Sequence, residues 1–347
     1  MLVYRYHRWV VSLLLALGFV SGCQQKEPGG GGSGADSDLS RAVLRYQGFA
    51  GQVTFPELAE DLGYLAPMRL EYVGNTISGP QDIQTVVTGD TDFGGAFNGA
   101  VLKLVAAKAP IKAVIGYYGV DDLTWSGYFV LDQSPIRSAR DFIDKKVAVN
   151  TVGAHHEFVL REYLARAGLT AAEIARVTLV VVPPVSAELA LRQGQVDVAV
   201  LGGVLREKAL ERGKLRSVFS DHDLFGTFTA GSIVLRKDFL RDRPNAARHF
   251  VEATARAIEW ARNTPRDEVI ARMRAIVGRR GRNEDASALQ YWRSTGIAGT
   301  GGLIAERELQ VWLDWLVKAS ELSPGQLSIS ELYTNELNPY ARQVGLR

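Results

Sequence analysis

Lys146-Val-Ala-Val-Asn-Thr-Val-Gly-Ala-His-His156 is the stretch whose reading decides the fold class. Lys146 to Asn150 is a short apolar run of the kind that forms a buried strand. Thr151 to His156 then turns into a helix carrying Phe158, Leu160 and Leu164. The order returns downstream. Val177 to Val182 reads as a strand ended by Pro183-Pro184, and Ser186 to Gln193 as a helix stopped by Gly194. Val196 to Leu201 is a further strand, followed by Gly202-Gly203 and a charged helix. Strands alternating with helices over short loops predict parallel βα units.

The same alternation fills the chain upstream. Ala42 to Gln47 reads as a strand and Gly48 to Val53 as a loop. Thr54-Phe-Pro-Glu57 has the spacing of a capping box, and its helix should stop at Gly63. Pro67 to Val73 is a strand, and Ser78 to Gln81 opens a helix that ends at Gly89. Thr91 to Gly95 is a strand leading through Ala96-Phe-Asn-Gly99 into a helix that reaches Ala107. Ile111 to Tyr117 is another strand. The chain therefore holds two α/β blocks. After a strand at Phe228 to Leu235 the pattern turns helical, at Pro244 to Arg262, Arg266 to Val277, Glu284 to Ser294 and Ala305 to Leu322. That tail needs the faces of the first sheet for burial. The expected organisation is one lobe from residues 39–122 plus 227–347 and a second from 123–226.

Arg5 and Arg8 precede an apolar run of twelve residues, Trp9 to Val20. That is short of the roughly 20 residues a membrane-spanning helix needs, and it fits the core of an export signal. Val20-Ser-Gly-Cys23 resembles the bacterial lipobox, which makes residues 1–22 a lipoprotein signal peptide and Cys23 a lipidated first residue. Cys23 is the only cysteine, so no internal disulfide is possible. Residues 23–38, rich in Gly and Ser, should be a flexible tether. The expectation is an exported chain, lipid-anchored to a bacterial membrane and facing the periplasm or cell exterior. Removing residues 1–22 takes away Arg5 and Arg8 and no acid, leaving 38 residues of each sign. A balanced body of this kind excludes a nucleic-acid surface.

Several stretches together resemble the type II periplasmic substrate-binding proteins of ABC importers, in the group serving aliphatic sulfonates, taurine, nitrate and thiamine-type pyrimidines. They are Leu58 to Tyr64, Thr88 to Gly94, Ile136 to Val149, Ala190 to Ala199, and Pro244 to Phe250 with Ala257 to Trp260. The resemblance covers nearly all of residues 39–347. It implies a two-lobed α/β fold with a mostly parallel sheet in each lobe and a helical C-terminal tail on the first. It also implies a monomer that binds a small molecule without a cofactor, closes about a hinge, and presents its cargo to an ABC permease and its ATPase. Catalysis is not expected. An enzyme on the same fold, pyrimidine synthase-like or chorismate dehydratase-like, is the alternative, as is a ligand-sensing partner of a membrane receptor. The first kind of enzyme carries a cysteine-rich iron site, and this chain has no cysteine beyond Cys23.

Ligands of open α/β sheets bind beyond the carboxyl ends of the strands, where helix starts offer free N–H groups. Each block provides one such turn: Ala96-Phe97-Asn98 in the first, and Thr151 through Gly153 and Ala154 to His155 in the second. Gly153 should matter because a side chain there would crowd a ligand resting on the helix end. His155 and His156 are adjacent, point to different sides of a helix and make poor joint metal ligands. A neutral histidine donating a hydrogen bond to ligand is the better reading. Tyr117, Tyr118, Trp125 and Tyr128 cluster near the lobe junction and offer an aromatic wall, with core packing as the competing role. Gln47, Phe49, Gly202 and Gly203 complete the rim. Relatives often carry a bulkier residue where Gly202-Gly203 stand, which argues against simple transfer of a sulfonate ligand.

Overall fold

The computed structural model describes Leu39 and residues 42–343. The signal peptide, Cys23 and the tether expected over residues 1–38 lie outside the described residues. Strand β1 (Val43–Gly48) is followed by α1 (Phe55–Asp61), whose capping box is formed as expected: the Thr54 N–H donates to Glu57 Oε2 at 2.9 Å, and the Glu57 N–H reaches the Thr54 hydroxyl. Next come β2 (Arg69–Asn75), α2 (Gly79–Thr88), β3 (Phe93–Phe97), α3 (Asn98–Ala106) and β4 (Ile111–Val120). The middle of the chain holds β5 (Ser126–Leu131), β6 (Lys146–Val149), α4 (His155–Arg166), α5 (Ala171–Ile174), β7 (Thr178–Val181), α6 (Pro184–Arg192), β8 (Val198–Gly202), α7 (Gly203–Glu211), β9 (Leu215–Ser220) and α8 (Asp221–Phe225). Then follow β10 (Phe228–Arg236), α9 (Lys237–Asp242), α10 (Pro244–Asn263), α11 (Arg266–Arg279), α12 (Arg307–Lys318) and α13 (Ile329–Leu332).

The fold is two-lobed α/β. One sheet has the order β7-β6-β8-β5-β9. On the other side β10 pairs between β3 and β4, and β1 pairs with β2. Asp92, just before β3, ties the two groups together: its N–H donates to the Arg45 carbonyl at 2.9 Å and its carboxylate accepts the Arg45 N–H at 2.7 Å. β1 and β2 run parallel, and in each of the two larger sheets one strand opposes its neighbours. β5 is antiparallel to β8 and β9, and β10 to β3 and β4. These two strands arrive from the opposite sheet without a full crossover helix. β5 follows β4 directly, and β10 follows β9 over five-residue α8. A chain that returns without such a crossover pairs antiparallel.

β5 and β9 carry no clear signal in the sequence. Ser126-Gly-Tyr-Phe-Val-Leu131 is buried on both faces through its middle, so the period-2 alternation that marks a half-exposed strand is absent. The helix expected over Glu284 to Ser294 is reduced to one 3₁₀ turn at Ser287–Tyr291. Glu284 is drawn instead into an ion pair with Arg280 at 2.8 Å. Arg266 takes the Gln290 and Trp292 carbonyls, which a longer helix would need for its own ladder.

In the tail, α10 packs against α1 and α12 against α3. Phe250, Val251 and Ile258 of α10 share a core with Leu44, Leu58 and Ile233. A second core spans both sheets. Its centre is Phe97, whose ring lies 4.7 Å from Trp312 of α12 and 5.2 Å from Phe158 of α4. Beside it, fully buried Asn98 staples α3 to β10: its amide donates to the Thr229 carbonyl at 3.1 Å and its oxygen accepts from the Ser232 hydroxyl at 2.8 Å. Removing one partner strands the other in the core. Asn98→Ala should therefore lower the unfolding free energy by about 1–3 kcal/mol. Urea denaturation of both proteins checks this, and equal midpoints would contradict it.

Candidate ligand-binding site

A cavity of about 400 Å³ opens between the two sheets, with residues from both on its wall. The starts of seven helices line it. Thr54 and Phe55 come from α1, Gly79 and Pro80 from α2, Phe97 from the residue before α3, Ala154 and His155 from α4, Pro184 from α6, Gly202 and Gly203 from α7, and Asp221 from α8. The first-turn N–H groups of a helix have no partner within the helix.

Nine of the expected residues meet here: Phe49, Ala96, Phe97, Tyr118, Trp125, Ala154, His155, Gly202 and Gly203. Four do not. Gln47 lies off the wall, and its buried Oε1 has no partner among the described residues. Asn98 is spent on the core. Thr151 stands outside the lining, where its hydroxyl reaches only the Val152 carbonyl, at 3.4 Å. Gly153 requires the larger correction. It has a φ of +75°, so it serves the turn, and its N–H donates to Glu157 Oε2 at 2.7 Å. A Cβ there would meet no protein atom within 4 Å, and Gly153 stands outside the cavity lining. The small residue at Gly202 has a different cause: a Cβ would lie 2.4 Å from the Ser126 hydroxyl of neighbouring β5.

His156, the other histidine considered for a ligand contact, also lines the cavity; Asn150, Asp221 and Trp292 line it and were not anticipated. A signal for Asp221 existed. Ser220-Asp-His-Asp223 is a capping box, with the Asp223 N–H donating to the Ser220 hydroxyl at 3.0 Å.

Tyr118, His155 and Asp221 run in a line from the first sheet to the second. The Tyr118 hydroxyl is 3.3 Å from His155 Nδ1, and His155 Nε2 is 3.4 Å from Asp221 Oδ2 without hydrogen-bond alignment. The His155 ring stacks on Phe97, with centroids 5.2 Å apart. Burial, helped by neighbouring His156, holds His155 well below the ordinary imidazole range, so it is neutral. Burial also lowers His156 to about 4 and raises Asp221 to about 7. Asp221 Oδ1 accepts the Ser126 and His222 N–H groups, both at 2.9 Å, while Oδ2 has no hydrogen-bond partner. Among the described residues no Lys or Arg lines the cavity, and no group of three His, Cys, Asp or Glu side chains is placed to hold a metal ion.

The family model described as NMT1/THI5 like matches residues 53–268, more than half of the chain. The chain belongs to the NMT1/THI5-like family. No curated protein matches this member in sequence. Among solved structures, the alkanesulfonate-binding protein SsuA from Xanthomonas axonopodis pv. citri, bound to MOPS, superposes with a TM-score of 0.65. It is 18% identical and aligns over 85% of this chain and 98% of its own. The periplasmic nitrate-binding protein NrtA from Synechocystis PCC 6803 gives 0.66 at 15% identity, over 88% and 90%. The desulfurization enzyme DSZB gives 0.58 at 17% identity, over 86% and 97%. These likenesses establish the shared fold.

The histidines of this NMT1/THI5-like chain, buried His155 and half-buried His156, set a pH dependence. Above about pH 6.5 His156 is neutral whether the chain is folded or not. As pH falls, the unfolded chain takes up a proton that the folded site refuses until about pH 4, so stability drops. The group then costs up to about 1.4 kcal/mol per pH unit within that window. His156→Gln should remove this slope. The check is urea unfolding from pH 7.5 to 4.5, comparing the variant with the parent at each pH. A difference that stays constant across the range would contradict it.

Proposed function

We propose that this chain is the solute-binding component of an ABC-type importer. The observation that carries this reading is one roomy cavity between two sheets, walled by aromatic rings and helix starts, on a fold shared with periplasmic binding proteins. A volume of about 400 Å³ suits a molecule of small-metabolite size. In this reading Phe49, Phe97, Trp125 and Trp292 sandwich the ligand, while His155, His156 and Asn150 supply polar contacts. The lobes are residues 39–122 with 227–347, and 123–226. The hinge is the pair of connections from β4 to β5 and from β9 to β10. Closure about that hinge presents the loaded protein to a permease and its ATPase.

DSZB shares the fold and is an enzyme, so turnover is the discriminating measurement. Native mass spectrometry of the purified protein should reveal a bound small molecule. Added back, that compound should raise the melting temperature, lower the radius of gyration seen by small-angle scattering, and be recovered unchanged. Recovery of a converted product would sink the importer reading.

The second part of the proposal is export on a lipid anchor at Cys23, from the signal-like residues 1–22 and the lipobox-like Val20-Ser-Gly-Cys23. Cys23→Ser should move the protein from the membrane fraction to the soluble one, or leave the leader uncleaved. A variant processed and membrane-bound like the parent would remove the anchor.

A further inference from the structure

Building on the reading of this cavity as a ligand site, we infer that it takes an aromatic amine or amidine, neutral or cationic, whose N–H edge meets Asp221, and that it discriminates against oxyanions. Charge comes first. Among the described residues the wall carries one carboxylate, Asp221, and no Lys or Arg. The guanidinium of Arg206 lies 3.9 Å over the Trp125 ring and behind it. It is buried and already used, donating to the Trp125 carbonyl at 2.9 Å, the Leu123 carbonyl at 2.8 Å and the Glu207 carboxylate at 2.9 Å. It offers nothing to a ligand anion.

Unfilled acceptors come second. Asp221 is 1% exposed and its Oδ2 has no hydrogen-bond partner. Asn150 Oδ1, His155 Nε2 and His156 Nδ1 are also buried without partners, and all four residues line the cavity. Buried polar atoms are paired as a rule, and an orphan here is a place where the ligand supplies the missing half. The two oxygens are acceptors, so the ligand brings donors to them. The walls supply the rest: Trp125 and Trp292 on the lining are aromatic rings of the kind that suit a planar ligand and favour a cation.

The helix starts argue the other way, since free N–H groups suit an anion. They are opposed by Asp221 itself. An oxyanion would enter beside a buried carboxylate, or require that carboxyl to hold its proton. Asp221 titrates near pH 7. The groups facing it or near it are His155 and His156 of α4, Tyr118 of β4, Tyr128 of β5, Arg206 of α7, and His222 and Asp223 of its own helix. The two α4 histidines are neutral in this range, so the charge of the wall between pH 6 and 8 follows Asp221.

Titration calorimetry on the processed chain with benzamidine, benzamide and benzenesulfonate, at pH 6 and pH 8, tests the inference. Benzamidine should bind tightest, and about tenfold more tightly at pH 8 than at pH 6, because its cation meets an ionised Asp221. Benzamide should bind more weakly, and benzenesulfonate weakest, with its affinity falling as pH rises. Asp221→Asn should cut benzamidine affinity at least about tenfold and flatten its pH dependence. The pH series on the unaltered protein carries the test if that variant does not fold. Tighter binding of benzenesulfonate at pH 8, a benzamidine affinity indifferent to pH, or no binding of benzamidine at millimolar concentration would each overturn the inference. Tight binding of the sulfonate without turnover would leave the importer reading in place. Turnover of a bound amine would remove that reading and leave this one.

Discussion

The burial of one imidazole, His155, is the constraint on which the meeting of the two sheets depends. Its ring is 6% exposed, stacked on Phe97 from the first sheet, with Tyr118 from the same sheet at one nitrogen and Asp221 from the second lobe's side at the other. A charged ring in that place would lose its water and face neighbouring His156, and this burial outweighs the nearby Asp221 carboxyl. The ring is therefore neutral, and its neutrality lets an apolar core run from Phe97 through Phe158 and Trp312 past the cavity floor. The helix start adds to this, because the N-terminal end of α4 disfavours a positive ring.

Close approach of backbone to ring shapes the opposite wall. Tyr117 and Tyr118 are successive residues on β4, where the pairing with β10 is irregular, and their rings meet edge to face with centroids 5.7 Å apart. A Cβ at Gly95 on β3 would lie 2.4 Å from the Tyr117 ring, and one at Gly231 on β10 would lie 2.3 Å from the Tyr118 ring. Tyr118 thus lies over a glycine on neighbouring β10, and Tyr117 reaches across β10 to a glycine on β3. The missing side chains allow the rings to lie flat against the sheet, and the space in front of them becomes part of the cavity.

The strand-and-helix order was legible because it rests on local chemistry. Thr54, Ser78 and Gly89 mark helix ends by their own hydrogen bonds and dihedrals, and the structure places them so. The turn at Thr151 to His155 was legible as a place but not as a set of contacts. Which atoms face the cavity depends on Glu157 claiming the Gly153 N–H, and a sequence does not show that competition. Asn98 misled for the same reason. An amide at a strand-to-helix turn suits a ligand and suits a core, and the residues that decide are Thr229 and Ser232, far along the chain on β10. Asp221 required knowing that α8 folds back beside Ser126.

Two buried acids, Asp82 and Asp221, and two histidines, buried His155 and half-buried His156, pull stability in opposite directions with pH. Asp82, 3% exposed, accepts the Gly95 N–H at 2.7 Å and is raised by burial to about 7, as Asp221 is. For a carboxyl raised in this way the folded state keeps a proton that the unfolded chain has lost. Its destabilising effect therefore develops as pH climbs from about 4 to 7 and is complete above that. The histidines act from the other side, destabilising as pH falls below about 6.5. At neutral pH the molecule thus carries most of the cost of Asp82 and Asp221 and none from the imidazoles. Asp82 is sealed behind β3, so its cost is fixed by the fold. Asp221 is on the cavity wall with one oxygen unpaired, so its cost is reversible. Whatever fills the site with a donor or a positive charge offsets it, and the affinity of the site and the stability of the fold then rest on the same buried carboxyl.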